Sequence, residues 1–213
     1  MLDLLFSNPL IFVVWAVALV ISVTIHEFSH AWMADRLGDP TARLAGRLTL
    51  NPLAHLDPVG TLALLIANIG WGKPVPIDPY NLRYPRRDSA IISLAGPGSN
   101  LILAAILALF LRLPFVSLSL GSLVSLLYPL IVLSVGLGVF NLIPIPPLDG
   151  AKIVLGILPI DLALKFEETT SQFGILLLLF IIFPLFGGNS LIGLIISPII
   201  NLILSFLLPF KFL

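Results

Sequence analysis

Residues 10–30 read LIFVVWAVALVISVTIHEFSH, an unbroken apolar run that ends in His26-Glu27-Phe28-Ser29-His30. The run points to a membrane helix, since about 20 apolar helical residues match a hydrocarbon core of about 30 Å. The motif at its end points to chemistry. On a helix His26 and His30 share one face a turn apart, about 6 Å along the axis at about 1.5 Å per residue. Two imidazoles so placed can hold one metal ion. Glu27, rotated about 100° from His26, stands beside the ion, which suits a carboxylate that takes a proton from a water. Zinc is the expected ion: it accepts nitrogen and oxygen ligands tetrahedrally and leaves a fourth position for water. The alternative is a pair of helix histidines satisfied by neighbours or facing water. The apolar setting argues against it, because ionisable groups at membrane depth are costly and mark functional sites. The chain has three histidines, two of them here, and Glu27 is the only glutamate before Glu167.

The rest of the composition agrees with a membrane setting. Of 213 residues, 58% are hydrophobic and 10% charged, against about 25% charged in a soluble domain; mean hydropathy is +1.11. Net charge is zero, so nothing electrostatic points to nucleic acid. With no cysteine, disulfides and thiolate ligands are excluded. The first apolar run lacks the basic n-region of a signal peptide. We expect an all-α polytopic membrane protein forming one domain over residues 1–213, with a core at 8–160 and accessory helices at 161–213. About five spans are expected, together with a short re-entrant helix and small strands or a strand edge near the active site.

Working outward, the first helix is expected over residues 8–37, capped at Ser7 or Asn8 ahead of Pro9 and stopped by Gly38 and Pro40. Residues 41–57 differ in character: 41–50 alternate weakly and read as one or two short strands. The segment Asn51-Pro-Leu-Ala-His55 is either a pair of X-Pro turns or a means of placing His55 near the metal or the substrate entrance. Residues 59–71 are apolar but too short to cross as a helix. Residues 72–88 are proline-rich; they are either an edge for an unwound peptide or a surface loop with basic anchors. Spanning helices are expected at 89–111 and 123–142, the first containing Pro97 and Asn100. Then Asn141-Leu-Ile-Pro-Ile-Pro-Pro-Leu-Asp149-Gly150 interrupts the second, since three prolines in four positions cannot continue a helix. Irregular backbone at membrane depth survives only against protein or a water-filled cavity. Asp149 therefore stands beside such a site, or merely caps the next helix. A short helix at 151–160, a polar stretch at 161–172 and apolar helices at 173–186 and 191–210, joined by a turn at 187–190, complete the chain. Nothing in that last third carries visible chemistry.

The HExxH in the first apolar helix, with the 141–150 segment matching NxxPxPxLDG about 120 residues later, resembles the site-2 protease family of intramembrane zinc metalloproteases (peptidase family M50). Asn51-Pro-x-x-His55 and Gly96-Pro97-x-x-Asn100 also resemble family segments. The resemblance covers roughly residues 8–160. It implies that His26, His30 and Asp149 ligate one Zn2+, that Glu27 is the general base, and that Asn141, with Asn100 and His55, helps hold the substrate or the transition state. It also implies cleavage within transmembrane helices of membrane-anchored proteins. Many relatives carry a PDZ or CBS domain, and neither is expected here. A rival reading is a non-catalytic membrane binding protein or a zinc-handling transporter, for which intramembrane His, Glu and Asp are also suited. Arg36, Arg43, Arg47, Lys73, Arg83, Arg86 and Arg87 cluster between the first helix and that starting near Ser89. By the positive-inside rule this places the active site near the cytoplasmic face of the cell membrane, with lipid and a substrate helix as its partners.

Overall fold

The computed structural model describes residues 2–67, 70–113, 121–183 and 190–208. A short helix α1 (Leu2–Ser7) precedes α2 (Pro9–Arg36). Asn8 caps α2, its side chain accepting from the Ile11 amide at 3.3 Å; Leu37 closes it, and Gly38 turns away at φ +105°. A single turn α3 (Thr41–Leu44), a 3-10 turn at Pro52–Ala54 and α4 (Pro58–Ala67) lead to a second 3-10 turn at Pro79–Asn81. Then come α5 (Pro85–Leu111), α6 (Gly121–Asn141), α7 (Asp149–Ile157), α8 (Ile160–Ile182) and α9 (Leu191–Leu207).

α5 is the hub, packing against α2, α6 and α7, while α2 also packs against α6. Ala104, Ala108, Ile131, Val135, Val139 and Ile196 form a core between α5, α6 and α9. Small residues on α5 let the neighbouring backbones approach, the usual solution between helices in lipid. One polar link joins α2 to α6: Ser22 Oγ and Ser134 Oγ are 3.0 Å apart and buried. Outward, Leu10, Val13 and Val17 of α2 and Ile102, Ile106 and Leu109 of α5 are exposed, as expected of lipid-facing surface.

Two expectations change. Among the described residues there is no strand. The weakly alternating 41–50 stretch starts with the helical turn α3, where Asp39 accepts from the Thr41 amide at 3.1 Å, and the 72–88 region contributes to pairing only through an isolated antiparallel bridge, Leu56 with Gly72. Residues 51–57 turn at Pro52–Ala54, with the Asn51 side chain accepting from the Leu53 amide at 3.1 Å. And among the described residues three helices, against the about five expected, are long and apolar enough to span: Pro9–Arg36, Pro85–Leu111 and Leu123–Asn141. α8 joins the polar stretch bearing Asp161, Lys165, Glu167 and Glu168 to the apolar stretch after it as one continuous helix. α9 is apolar but only 17 residues long. The short α4 agrees with an apolar piece that does not cross. The expected turn at 187–190 lies outside the described residues except for Ser190, as do the last residues of both expected C-terminal helices.

Candidate metal centre

His26 and His30 occupy adjacent turns of α2, and both are buried. Their rings meet edge to face with centroids 4.6 Å apart, and their Nε2 atoms lie 3.0 Å apart. The third group arrives from 119 residues further on. α6 ends at Asn141, and the 142–148 segment turns back through tight bonds, Ile145 N to Ile143 O at 2.8 Å and Leu148 N to Ile145 O at 2.9 Å. α7 then starts at Asp149. Gly150 permits the return, because a Cβ there would overlap the carbonyls of Leu142 and Ile143. Asp149 Oδ2 lies 3.1 Å from His26 Nε2 and 3.2 Å from His30 Nε2, and the N-cap position of α7 is Leu148, not Asp149.

Three potential ligand atoms thus converge. Tetrahedral ligands about 2.0–2.2 Å from one zinc ion lie about 3.3–3.6 Å from each other, and these stand a few tenths of an ångström inside that. Lone pairs held this close in a buried site need a cation or shared protons between them. The donor set, two imidazoles and one carboxylate, fits zinc.

Beside this cluster, with His26 in its lining, is a cavity of about 470 Å³. Its lining includes His26, Glu27 and Asn141, with Trp71, Gly72 and Pro74 on another wall. Along α2 the lining runs from Phe12 to Glu27, about 22 Å at 1.5 Å per residue, room for six or seven extended residues at about 3.3 Å each. Gly72 lies against the base candidate: a Cβ built there would be 3.6 Å from Glu27 Oε1. Asn141 lines the cavity with its amide nitrogen donating to Leu137 O at 3.0 Å.

The wall at 72–78 is pinned, not loose. Lys73 N donates to His55 O at 2.8 Å. The buried Arg47 guanidinium donates to Pro74 O at 3.0 Å and also to Lys73 O. Burial lowers the Arg47 pKa, and the charge of Glu27 opposes that shift. Asp39 fastens the far end, accepting from the Asp78 amide at 2.8 Å and the Asn81 side chain at 2.9 Å. Burial works to raise the Asp39 pKa, but the bonds from Thr41, Asn81 and Asp78 outweigh it and hold the carboxyl below its usual range.

The structure therefore brings His26, His30 and Asp149 together, with Glu27 and Asn141 in the lining of the adjacent cavity. It does not bring His55 or Asn100 into the cavity. His55 is fully buried, with Nε2 2.7 Å from Thr49 O, in the loop whose His55 carbonyl accepts from Lys73 N. Asn100 is also fully buried, with its amide 3.3 Å from His26 Nδ1. Three contributors left no side-chain signature. The Ile92 carbonyl accepts from His30 Nδ1 at 2.7 Å. Gly96 makes room for both rings, because a Cβ there would overlap them. Trp71 walls the cavity.

A family model described as Peptidase family M50 matches residues 114–181. YwhC of Bacillus subtilis, a candidate zinc metalloprotease by name, is 39% identical over 176 residues, covering 79% of this chain and 80% of the relative. Rip2 of Mycolicibacterium smegmatis, named likewise, is 38% identical over 144 residues, 66% of this chain and 55% of the relative. The zinc metalloprotease MJ0392 of Methanocaldococcus jannaschii is 26% identical over 152 residues, 71% of this chain and 36% of the relative. The chain thus spans about half the length of Rip2 and four-fifths that of YwhC. No solved structure matches. A relative this similar over most of both chains, and a family model that spans the segment delivering Asp149, make this chain a member of peptidase family M50, the site-2 protease family of membrane zinc metalloproteases.

Proposed function

We propose that this protein hydrolyses peptide bonds within the transmembrane segments of membrane-anchored proteins, with His26, His30 and Asp149 holding one zinc ion and Glu27 as general base. The observation that carries this reading is the convergence of those three ligand atoms beside an apolar cavity that His26 and Glu27 line and that follows a spanning helix. When bound, zinc supplies Lewis acidity, polarising a carbonyl and bringing the pKa of a water from about 15.7 toward 7. Glu27, in the cavity lining next to His26, takes the proton of the attacking water and gives it to the leaving amine. Asn141 presents its amide to the same space and holds the substrate backbone. A transmembrane helix keeps its carbonyls in intrahelical bonds, so the substrate unwinds before it is cut. The long cavity and the pinned 72–74 wall are where an extended stretch is held while water reaches it.

We read residues 1–213 as one catalytic domain, with its core at 8–160 and accessory helices at 161–213. α8 and α9 lie apart from the ligand cluster and add packing: α9 against α5 and α6, α8 against α7. The basic residues between α2 and α5 support, by the positive-inside rule, a site near the cytoplasmic face.

The test is Glu27→Gln in detergent and in vesicles with a model transmembrane substrate. The amide keeps the shape of the carboxylate but is no base. Cleavage should fall by at least the roughly 10²–10⁴-fold assigned to general acid–base catalysis, with zinc retained. Near wild-type cleavage by this variant would overturn the mechanism. A wild-type protein that takes up zinc but cuts no transmembrane substrate would favour a membrane binder or carrier instead.

A further inference from the structure

α5 presents three residues at four-residue spacing to the ligand histidines: Ile92, Gly96 and Asn100. Gly96 supplies space, and the Ile92 carbonyl accepts from His30 Nδ1 at 2.7 Å. Asn100 stands against His26 Nδ1 at 3.3 Å. Its side chain is wholly buried, and Oδ1 has no hydrogen-bond partner among the described residues. A buried orphan acceptor of this kind calls for an explanation, and no substrate can reach it.

The chemistry of imidazole supplies one. His26 and His30 point Nε2 at each other and at Asp149 Oδ2, so Nε2 is the atom that must offer a lone pair to a metal. A neutral imidazole carries a single N–H. Ligation through Nε2 therefore places the proton on Nδ1, where it needs an acceptor. For His30 that acceptor is the Ile92 carbonyl. For His26 the backbone partner is Gly96, whose carbonyl also accepts from Ser99 Oγ at 2.7 Å and so is shared between two donors. Asn100 offers a second acceptor, on a side chain. As placed, its amide presents Nδ2 to the ring and leaves Oδ1 unpartnered. A half-turn about the Cβ–Cγ–amide axis puts Oδ1 on Nδ1–H.

We infer that Asn100 is a positioning residue for the metal site: its side-chain oxygen accepts from His26 Nδ1–H, selecting the tautomer and ring orientation in which Nε2 binds zinc. This inference rests on the metal-site reading above and replaces a substrate-holding role for Asn100.

The experiment compares wild type, Asn100→Leu, Asn100→Asp and Asp149→Asn, each as full chain purified in detergent. Zinc affinity is measured by competition with a chromogenic chelator, and thermal unfolding of the metal-free forms is followed in parallel. Leu matches Asn in size and removes the acceptor; Asp keeps two acceptors and no donor. Asn100→Leu should bind zinc about 10- to 100-fold more weakly, with metal-free unfolding close to that of wild type. Asn100→Asp should restore wild-type affinity or exceed it. Such rescue is beyond a merely space-filling residue. Equal affinity in Asn100→Leu and wild type overturns the inference, and so does an Asn100→Asp that binds no better than Asn100→Leu. A wild type without stoichiometric zinc, or an Asp149→Asn with full zinc affinity, strikes at the metal-site reading itself and takes this inference with it.

Discussion

Asp149 opens a helix, a position where a carboxylate ordinarily caps backbone amides, yet its oxygen lies 3.1–3.2 Å from the two histidines. Residue spacing alone leaves the cap and the site both open; the family pattern favours the site, and the geometry agrees. His55 is the competing third ligand by chemistry, and its ring is instead committed to the Thr49 carbonyl. A catalytic zinc normally has three protein ligands, so removing the real one empties the site. Asp149→Asn should lose most zinc and all cleavage. His55→Ala should keep most zinc and lose activity only in part, through loosening of the 72–74 wall that hangs from the His55 carbonyl. Elemental analysis of zinc per protein, set beside cleavage rates, decides it: full zinc in Asp149→Asn with none in His55→Ala would reverse the assignment.

At the scale of elements, α5 does more than span. Gly96 is where it touches both rings, and any side chain there must displace them. Gly96→Ala overpacks this contact at about 1–3 kcal/mol, so zinc affinity should fall roughly tenfold to hundredfold in chelator competition while the helix itself, relieved of a glycine, folds normally. A helix content that falls together with zinc would point to a folding defect instead. The loop under the wall carries a second expectation. Burial, aided by the charge of Arg47, lowers the His55 pKa below 6.5. The folded state thus keeps the ring neutral, whereas the unfolded chain takes up a proton below about pH 6.5. Stability from this group is present above that pH and is lost as pH falls through the window beneath it. The difference in melting temperature between wild type and His55→Gln should therefore shrink or reverse from pH 7 to pH 5; a pH-independent difference would exclude the linkage. The 41–50 stretch ahead of it read as strands because weak alternation was weighed above the local cap, Asp39 accepting from the Thr41 amide and hydroxyl, which starts a helical turn instead.

Across the whole molecule, three apolar helices and a run of basic residues set the expected orientation. Arg43 is largely exposed and Arg83 exposed, on the two sides of α4, while Ser7 is exposed at the opposite end of α2. If α4 does not cross, cysteines introduced at Arg43 and Arg83 react from one face and one at Ser7 from the other. The native chain has no cysteine, so impermeant maleimide labelling of right-side-out and inverted vesicles has no background. Labelling of the Arg43 and Arg83 positions from opposite sides would refute the map. The accessory region was half legible: apolar content foretold helices, but continuity through the charged half of α8 depends on helix propensity over residues that no hydropathy window marks.

The sequence by itself determined the membrane class, the first helix with its caps, the metal-ligand types and the break that frees Asp149. These follow from local physics, namely apolar run length, i to i+4 spacing and the inability of proline to continue a helix. Only the tertiary structure decided which groups meet. Asp149 reaches the histidines because Gly150 lets α7 return against the end of α6, whereas His55, equally apt by chemistry, is turned into a loop. Asn100 moved from the cavity to the back of His26 because α5 crosses α2 with that face inward. The Ile92 carbonyl could not be foreseen, since every residue carries one and only packing selects which is used.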